Sequence, residues 1–155
     1  MAQQLHIVLV EPQIPQNTGN IARTCACTGA ALHLVGPLGF TITDAKLKRA
    51  GLDYWDKLNV QHHATLADFL AAPPGPLYCF TTKATRFYTE ATYPPGCCLV
   101  FGREDAGLPE SLLAAHAGTC VRLPMRGHLR SLNLSNTVAV GAYEALRQWG
   151  WPSLA

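Results

Sequence analysis

Charged side chains are scarce in this sequence, where aspartate, glutamate, lysine and arginine make up 14% of the 155 residues. A fraction this low, beside 48% hydrophobic residues, argues against a long disordered tail and favours one domain over residues 1–155. The formal net charge is only +2. Attraction of a polyanion would therefore depend on a local basic patch, or on two copies placed side by side.

Long hydrophobic runs are also missing. Residues 5–10 form an apolar stretch near the N-terminus, but no basic segment precedes it and a glutamate follows it. The stretch is too short for a signal peptide and far too short for a membrane span. We therefore expect a cytoplasmic protein with no membrane partner.

The cysteines and histidines lack the spacing of metal ligands. None of the six cysteines forms a C-x-x-C pair, so we expect buried, reduced thiols. His62 and His63 adjoin in a predicted strand and would point to opposite faces of a sheet. The other histidines show no ligand spacing. We expect no bound metal.

The usual nucleotide and hydrolase fingerprints are absent as well. No G-x-G-x-x-G follows the first apolar run, so the sequence lacks the fingerprint of an ordinary dinucleotide-binding site. The sequence has no G-x-x-x-x-G-K-[ST], no G-x-S-x-G and no H-E-x-x-H. These absences exclude, in those forms, a phosphate-cradling ATPase loop, a nucleophile elbow and a zinc protease helix.

What is present is a regular alternation of strand and helix patterns. Short apolar runs predict strands at residues 5–10, 32–35, 60–63, 77–80, 97–101 and 120–123. Capping and stop signals predict helices at residues 17–28, 44–50, 65–72, 109–116 and 133–148. This alternation predicts an α/β fold with a largely parallel sheet and helices on both faces. Such sheets bind ligands at the carboxyl ends of their strands.

The first segment that carries chemistry is residues 17–23. Two prolines before it should exclude helix, and Asn17 or Thr18 should then cap one. Free backbone N–H groups at a helix start favour an anion, and Arg23 can share a helix face with Asn20. The segment is either a phosphate or ribose contact, or a plain cap followed by a solvated arginine.

The second segment, residues 99–109, runs from a buried strand into Gly102 and then into three consecutive charged residues. Glycine at a strand end lets a ligand approach the backbone closely. A plain strand-to-helix turn explains the glycines equally well, but it does not explain the charges.

The third segment, residues 122–136, holds three arginines, no acidic residue and several capping candidates. A positive loop that leads into a helix N-terminus suits a carboxylate or a phosphate. The alternative is a capped helix with solvated arginines.

The helix that follows is apolar almost all the way round and needs cover on both faces. A sheet covers only one face. A second copy of the chain could cover the other, with Ala139, Gly141 and Ala142 allowing a close approach. We therefore predict a homodimer, although an intramolecular loop could cover the helix instead.

Together these segments resemble the three motifs of the SPOUT methyltransferases, knotted S-adenosylmethionine enzymes that act on RNA. The nearest resemblance is to the minimal branch that methylates ribose 2′-oxygens at the wobble nucleotide of tRNA, cytidine or modified uridine. It runs through residues 8–23, 50–55, 81–83, the Gly102 loop and residues 130–136, and so covers nearly the whole chain. Arg103 departs from the pattern, since close relatives more often carry proline there.

The resemblance implies a deep C-terminal trefoil knot, a homodimer through the last helix and Tyr143, and tRNA, through its anticodon stem-loop, as the partner. It implies that S-adenosylmethionine is held around the positions Phe80, Gly102, Leu123, Arg130, Ser131 and Asn133. Arg23 would act on the substrate ribose, in a site completed by the other subunit, and Asn17 would join it as a catalytic residue.

RNA capture would rest on basic residues that include Lys46, Arg49 and Arg126. A solvated helix face explains the cluster at residues 46–49 equally well. Three other functions stay open: methylation at another tRNA or rRNA site, a knotted module that binds RNA without catalysis, and an unrelated nucleotide-dependent α/β enzyme.

Overall fold

A computed structural model of the protein describes residues 4–41, 55 and 58–155. Within those ranges it contains six strands: β1 (His6–Val10), β2 (Ala31–Val35), β3 (Val60–His63), β4 (Leu77–Phe80), β5 (Cys98–Phe101) and β6 (Cys120–Val121). The same ranges contain four α-helices: α1 (Pro15–Thr28), α2 (Leu66–Ala71), α3 (Glu110–Ala115) and α4 (Leu134–Gln148).

All six strands belong to one sheet, in the order β3-β2-β1-β5-β4-β6, and every hydrogen-bonded pair of neighbours is parallel. The central strands β1, β2 and β5 are almost wholly buried. Continuous apolar runs suit such strands because both faces of a parallel sheet are covered. The predicted parallel sheet is confirmed.

Helices cover both faces of the sheet, as predicted. On one face α1 and α4 contribute Ile21 and Val138 to a large apolar core. On the other face α2 and α3 contribute Phe69 and Leu112 to a smaller one. In the part of the chain that the structure describes, no helix has the length and apolar character needed to cross a bilayer.

Several predicted helix boundaries are confirmed by capping bonds. The Thr65 hydroxyl accepts a hydrogen bond from the Asp68 backbone N–H (3.2 Å) at the start of α2. The Asn133 side chain accepts from the backbone N–H groups of Ser135 and Asn136 at the start of α4. Gly29 ends α1 with a φ of 79°, a left-handed conformation that glycine adopts without strain.

The predicted start of α1 is wrong. The helix begins at Pro15, not at residue 17, and its N-cap Ile14 makes no side-chain capping bond. Proline fits the first helical position because the missing N–H has no intrahelical partner there anyway. Strand β6 also ends earlier than predicted, at Val121. The helix predicted at residues 44–50 lies outside the described residues.

The environment of the cysteines follows the prediction at most positions. Cys25, Cys79, Cys97 and Cys98 are buried free thiols, whereas Cys27 is exposed. Burial raises the pKa of Cys25 to about 12, so this thiol stays protonated and acts as a small apolar side chain.

Two of the three small residues of α4 that were predicted to face a second copy pack differently from the prediction, whereas Ala139 is partly exposed. Gly141 and Ala142 are buried against the protein's own sheet, and a methyl group added at Gly141 would lie 2.8 Å from the Phe80 ring. They are therefore not available to a second copy. The exposed stripe of α4 instead carries Val140 and Tyr143, which are 37% and 47% exposed.

Candidate functional site

A cavity of about 720 Å³ opens at the carboxyl ends of β4, β5 and β6, and we call it the candidate cofactor cavity. The turns after these three strands and the N-terminal end of α4 form its wall. Every residue that the resemblance assigned to the cofactor lines it: Phe80, Gly102, Leu123, Arg130, Ser131 and Asn133. Asn17, from the first turn of α1, lies on the same wall.

Gly102 is required by the protein's own backbone. A Cβ atom there would lie 2.2 Å from the carbonyl carbon of Gly107, a separation that no side chain tolerates. The two ends of this loop are joined by hydrogen bonds in both directions between Arg103 and Gly107, at 3.3 and 2.9 Å. The plain-turn explanation therefore accounts for this glycine, whether or not a ligand also approaches it.

The three charged residues after Gly102 form contacts within the chain. The Arg103 guanidinium donates two hydrogen bonds, each 3.0 Å long, to the Asp105 carboxylate. This bond lowers the pKa of Asp105 and raises the pKa of Arg103. Because both side chains are exposed, water screens the attraction and it adds little to stability.

Glu104, which the sequence did not single out, joins the turn after β5 to the start of α1. Its carboxylate accepts hydrogen bonds from the backbone N–H groups of Gln13 (2.9 Å) and Ile14 (3.1 Å), just before α1. It also accepts one from the Asn17 amide (3.3 Å). These N–H groups precede the helix and have no intrahelical partner, so a carboxylate satisfies them well.

The bond to Glu104 sets the orientation of two further amides. A carboxylate only accepts, so Asn17 turns its Nδ2 towards Glu104 and leaves its Oδ1 free to accept from Asn133 Nδ2 at 3.2 Å. Asn133 then has its Oδ1 left to cap α4. One directional chain of hydrogen bonds thus runs from the β5 turn through α1 to the start of α4.

Aromatic packing fixes the floor of the cavity. The rings of Phe80 and Phe101 are stacked with centroids 4.7 Å apart, and both line the cavity. Gly141 leaves room for the Phe80 ring on the side of α4. The apolar face of the cavity is therefore built by three elements packed together.

Arg23 lies on the exposed face of α1 together with Asn20, as the spacing predicted, whereas Asn17 is buried. Arg23 is not among the residues that line the cavity of its own chain. Arg126 is exposed in the loop after β6. Lys46 and Arg49 lie outside the described residues.

A row of histidines that sequence spacing could not reveal crosses β1, β2 and β3. His6 Nδ1 lies 2.9 Å from His33 Nε2, and His33 Nδ1 lies 3.0 Å from His63 Nε2. Burial, with the two neighbouring imidazoles, lowers the pKa of His33 to about 4. Across the described ranges, no three histidine, cysteine or acidic side chains are placed to hold a metal ion.

Comparison with known proteins gives consistent matches over almost the whole chain. A tRNA (cytidine(34)-2′-O)-methyltransferase of Yersinia pestis is 47% identical over 155 residues, covering 96% of each chain. A solved structure described as giving structural insights into the 2-OH methylation of C/U34 on tRNA is 45% identical, with a TM-score of 0.91, and the match covers 97% of this chain and 93% of that one.

An AdoMet-bound rRNA methyltransferase from Sinorhizobium meliloti is more distant, at 26% identity and a TM-score of 0.82, over 93% of this chain and 56% of that one. The model of the SpoU rRNA Methylase family matches residues 4–143. With its parallel sheet and a cavity at the strand ends, this chain belongs to the SpoU rRNA methylase family.

Proposed function

We propose that this chain uses S-adenosylmethionine to methylate the ribose 2′-oxygen of nucleotide 34 in tRNA, at cytidine or modified uridine. The observation that carries the proposal is the convergence of three distant sequence segments on one cavity. The Yersinia pestis relative, a tRNA (cytidine(34)-2′-O)-methyltransferase, and the structure concerned with C/U34 methylation support the same nucleotide.

The cavity fits S-adenosylmethionine in size and in chemistry. Its volume of about 720 Å³ lies within the range of roughly 300–1,000 Å³ that is typical of small-molecule sites. Phe80 and Leu123 offer apolar surface for the adenine, and Arg130 offers a cation for the carboxylate. Polar groups of Ser131 and Asn133 complete the wall. When bound, the cofactor supplies a methyl group activated by a positively charged sulfur.

The protein's own contribution is mainly alignment. Holding two reacting groups in the right geometry can lower a barrier by roughly 7–11 kcal/mol. We assign Arg23 to orient the ribose 2′-oxygen and to stabilise negative charge that develops on it. A guanidinium stays protonated near neutral pH, so Arg23 is unsuited to remove the proton itself. Asn17 would hold the α1 end of the site against Asn133.

We also propose a homodimer in which Arg23 serves the cavity of the partner subunit. Arg23 does not line the cavity of its own chain, and α4 exposes Val140 and Tyr143, with Trp151 against the Tyr143 ring at 5.9 Å. Exposed aromatic and aliphatic side chains grouped on one face are typical of interfaces.

The predicted trefoil knot belongs to the same proposal, with the cytoplasm as the place of action. The loop after β6 returns to the ends of β4 and β5, where it lines the cavity with Leu123 and Arg130. Asn133 then bonds back to Asn17 in α1, near the opposite end of the sequence.

The direct test is methyl transfer to tRNA transcripts followed by mapping of the modified nucleotide by mass spectrometry. We expect one 2′-O-methyl group, at nucleotide 34, and no transfer to a matched tRNA that carries 2′-deoxyribose at that position. A methyl group on a base, or at another nucleotide, would refute the assignment. Binding of RNA without any transfer would favour a non-catalytic module.

Arg23→Lys tests the proposed role of the guanidinium. Lysine keeps the positive charge but loses the planar fork, so we expect kcat to fall while calorimetry shows unchanged binding of S-adenosylhomocysteine. If Arg23→Lys methylates tRNA at the parental rate, the forked contact is not needed.

Mixed dimers test whether the partner completes the site. Arg23→Ala removes the arginine, and Ser131→Trp fills the cavity from an exposed position. Each variant alone should be inactive. A mixture should regain part of the activity, because one of the two sites in a mixed dimer combines an open cavity from one subunit with Arg23 from the other. A mixture that stays inactive, although exchange of subunits is demonstrated, would refute the shared site.

A further inference from the structure

Phe87 is an exposed aromatic residue, 43% accessible, that the proposed site does not use. Its backbone is held firmly in place. Phe87 forms a parallel bridge with Arg122, directly after β6, and its N–H donates to the Glu90 carboxylate at 2.7 Å. Hydrogen bonds from Arg122 N to Arg86 O (2.9 Å) and from Tyr88 N to Arg122 O (2.8 Å) flank the bridge.

Two arginines neighbour Phe87 along the backbone: Arg86 precedes it in the sequence, and Arg122 is its bridge partner. Arg122 donates to the Thr82 carbonyl (2.8 Å), and Arg86 donates to the carbonyls of Gly118 (3.1 Å) and Glu90 (3.3 Å). Within the described ranges neither guanidinium forms an ion pair with a carboxylate. Their positive charges are therefore fixed by neutral carbonyls and remain available to an anion.

The backbone of Phe87 adjoins the wall of the candidate cofactor cavity. Arg122 itself lines that cavity. Arg86 lines a neighbouring cleft of about 580 Å³, which shares Thr81 and Lys83 with the cavity. Strand neighbours lie about 4.8 Å apart, so the bridge places Phe87 beside a residue of the cavity wall.

We propose that Phe87, flanked by Arg86 and Arg122, is a stacking platform for an unpaired RNA base next to the nucleotide that enters the cavity. The proposal rests on the proposed function and extends its RNA-binding surface beyond residues 46, 49 and 126. A single exposed apolar residue is ordinary on a protein surface. What favours RNA here is the combination with two arginines, Arg122 in the cavity wall and Arg86 in the neighbouring cleft, that form no ion pair within the described residues.

The chemistry of single-stranded RNA matches this arrangement. Unpaired bases expose a π-face that stacks on aromatic side chains, and arginines bind the phosphates on either side. Stacking tolerates any base, so the platform contributes affinity for loops rather than for a sequence. Double-stranded RNA offers no free base and gains nothing from Phe87.

The test measures fluorescence anisotropy of a labelled anticodon stem-loop, and of a fully paired duplex of the same length, with three forms of the protein. Phe87→Leu keeps apolar bulk but removes the π-face, whereas Phe87→Trp keeps the π-face. Stacking on an aromatic side chain predicts that Phe87→Leu raises the Kd for the loop by about 5- to 150-fold. Phe87→Trp should bind within about twofold of the parent, and the duplex should be unaffected by either change.

Two further measurements separate the platform from other roles of Phe87. A 2-aminopurine base next to nucleotide 34 should be quenched on binding to the parent and to Phe87→Trp, but not on binding to Phe87→Leu. Sedimentation and S-adenosylhomocysteine affinity should be the same in all three forms.

Equal loop affinity in the parent and Phe87→Leu would overturn the platform while leaving the proposed function intact. Loss of dimers in Phe87→Leu would also overturn it, because Phe87 would then contact a second copy. If the parent neither binds nor methylates tRNA, the proposed function fails first and the platform falls with it.

Discussion

Replacing Glu104 by glutamine tests whether the hydrogen-bond chain around the site stabilises the protein. The carboxylate accepts bonds from Gln13 N, Ile14 N and the Asn17 amide, through both of its oxygens. Glutamine keeps only one acceptor oxygen. The least damaging arrangement keeps that oxygen on Ile14 and Asn17 and turns the NH₂ group towards the Gln13 N–H, so that one donor faces another.

The expected loss of folding free energy follows from the one donor left without an acceptor and from the lost negative charge. A donor left unsatisfied costs about 1–3 kcal/mol, and loss of a negative charge at a helix N-terminus costs about 0.3–1 kcal/mol. Glu104 is only partly buried, so water recovers part of this loss. We expect a net destabilisation of about 2 kcal/mol, which corresponds to about 4–8 °C in Tm for a chain of this size.

Urea unfolding measures the change, and Glu110→Gln is the matched control. Glu110 is the same residue type in the first turn of α3, where its exposed side chain pairs with Lys83. Glu110→Gln also removes a negative charge at a helix N-terminus, but water screens its pair and no buried donor loses an acceptor, so we expect its unfolding midpoint to fall much less than that of Glu104→Gln. S-adenosylhomocysteine should also bind more weakly to Glu104→Gln, since Asn17 and Asn133 lose their fixed orientation. Identical midpoints for all three proteins would refute the anchoring role of Glu104.

Three further changes probe the core around the site. Burial lowers the pKa of His33 to about 4, so on acidification the unfolded chain protonates this imidazole before the folded chain does. About 3 kcal/mol of the folding stability present above pH 6.5 should therefore be lost as the pH falls towards 4. Urea titrations should show a smaller acid loss in His33→Gln, and parallel curves would contradict this. Gly141→Ala should lower stability by about 1–3 kcal/mol and weaken cofactor binding, because its methyl group would displace Phe80. Gly118→Ala is the control and should change neither, because a Cβ atom at Gly118 would have no neighbour within 4 Å. Thr18 buries a hydroxyl that has no partner within the described residues, so Thr18→Val should stabilise by about 1 kcal/mol, whereas a clear loss in thermal unfolding would reveal a partner.

Local sequence signals predicted the elements of this fold well where one residue decides the outcome. Gly29 ends α1 and the side chains of Thr65 and Asn133 cap their helices, because each choice depends only on the next few backbone groups. The start of α1 was misjudged for the converse reason. Pro15 can either break or begin a helix, and Glu104, about ninety residues away, satisfies the backbone before it.

The cofactor residues were identified by resemblance to a family, and the structure brings all six around one cavity. Their spacing alone left a structural explanation open, and for Gly102 that explanation holds, since the approach of Gly107 already requires glycine. Gly141 and Ala142 of α4 were assigned to a partner but are buried against the chain's own core, with Gly141 facing Phe80. A helix that is apolar all round does not reveal from sequence which face meets its own core.

The sequence by itself determined the strand and helix alternation, the parallel sheet and the segments that end at its carboxyl edge, because periodicity and capping are local properties. Only the tertiary structure decided how distant side chains meet: the carboxylate of Glu104 at the start of α1, the row of imidazoles across three strands, and Phe87 beside Arg122. Those contacts join residues between 27 and 91 positions apart, and no local pattern encodes them. They exist because a parallel sheet lays distant strands side by side at a fixed spacing.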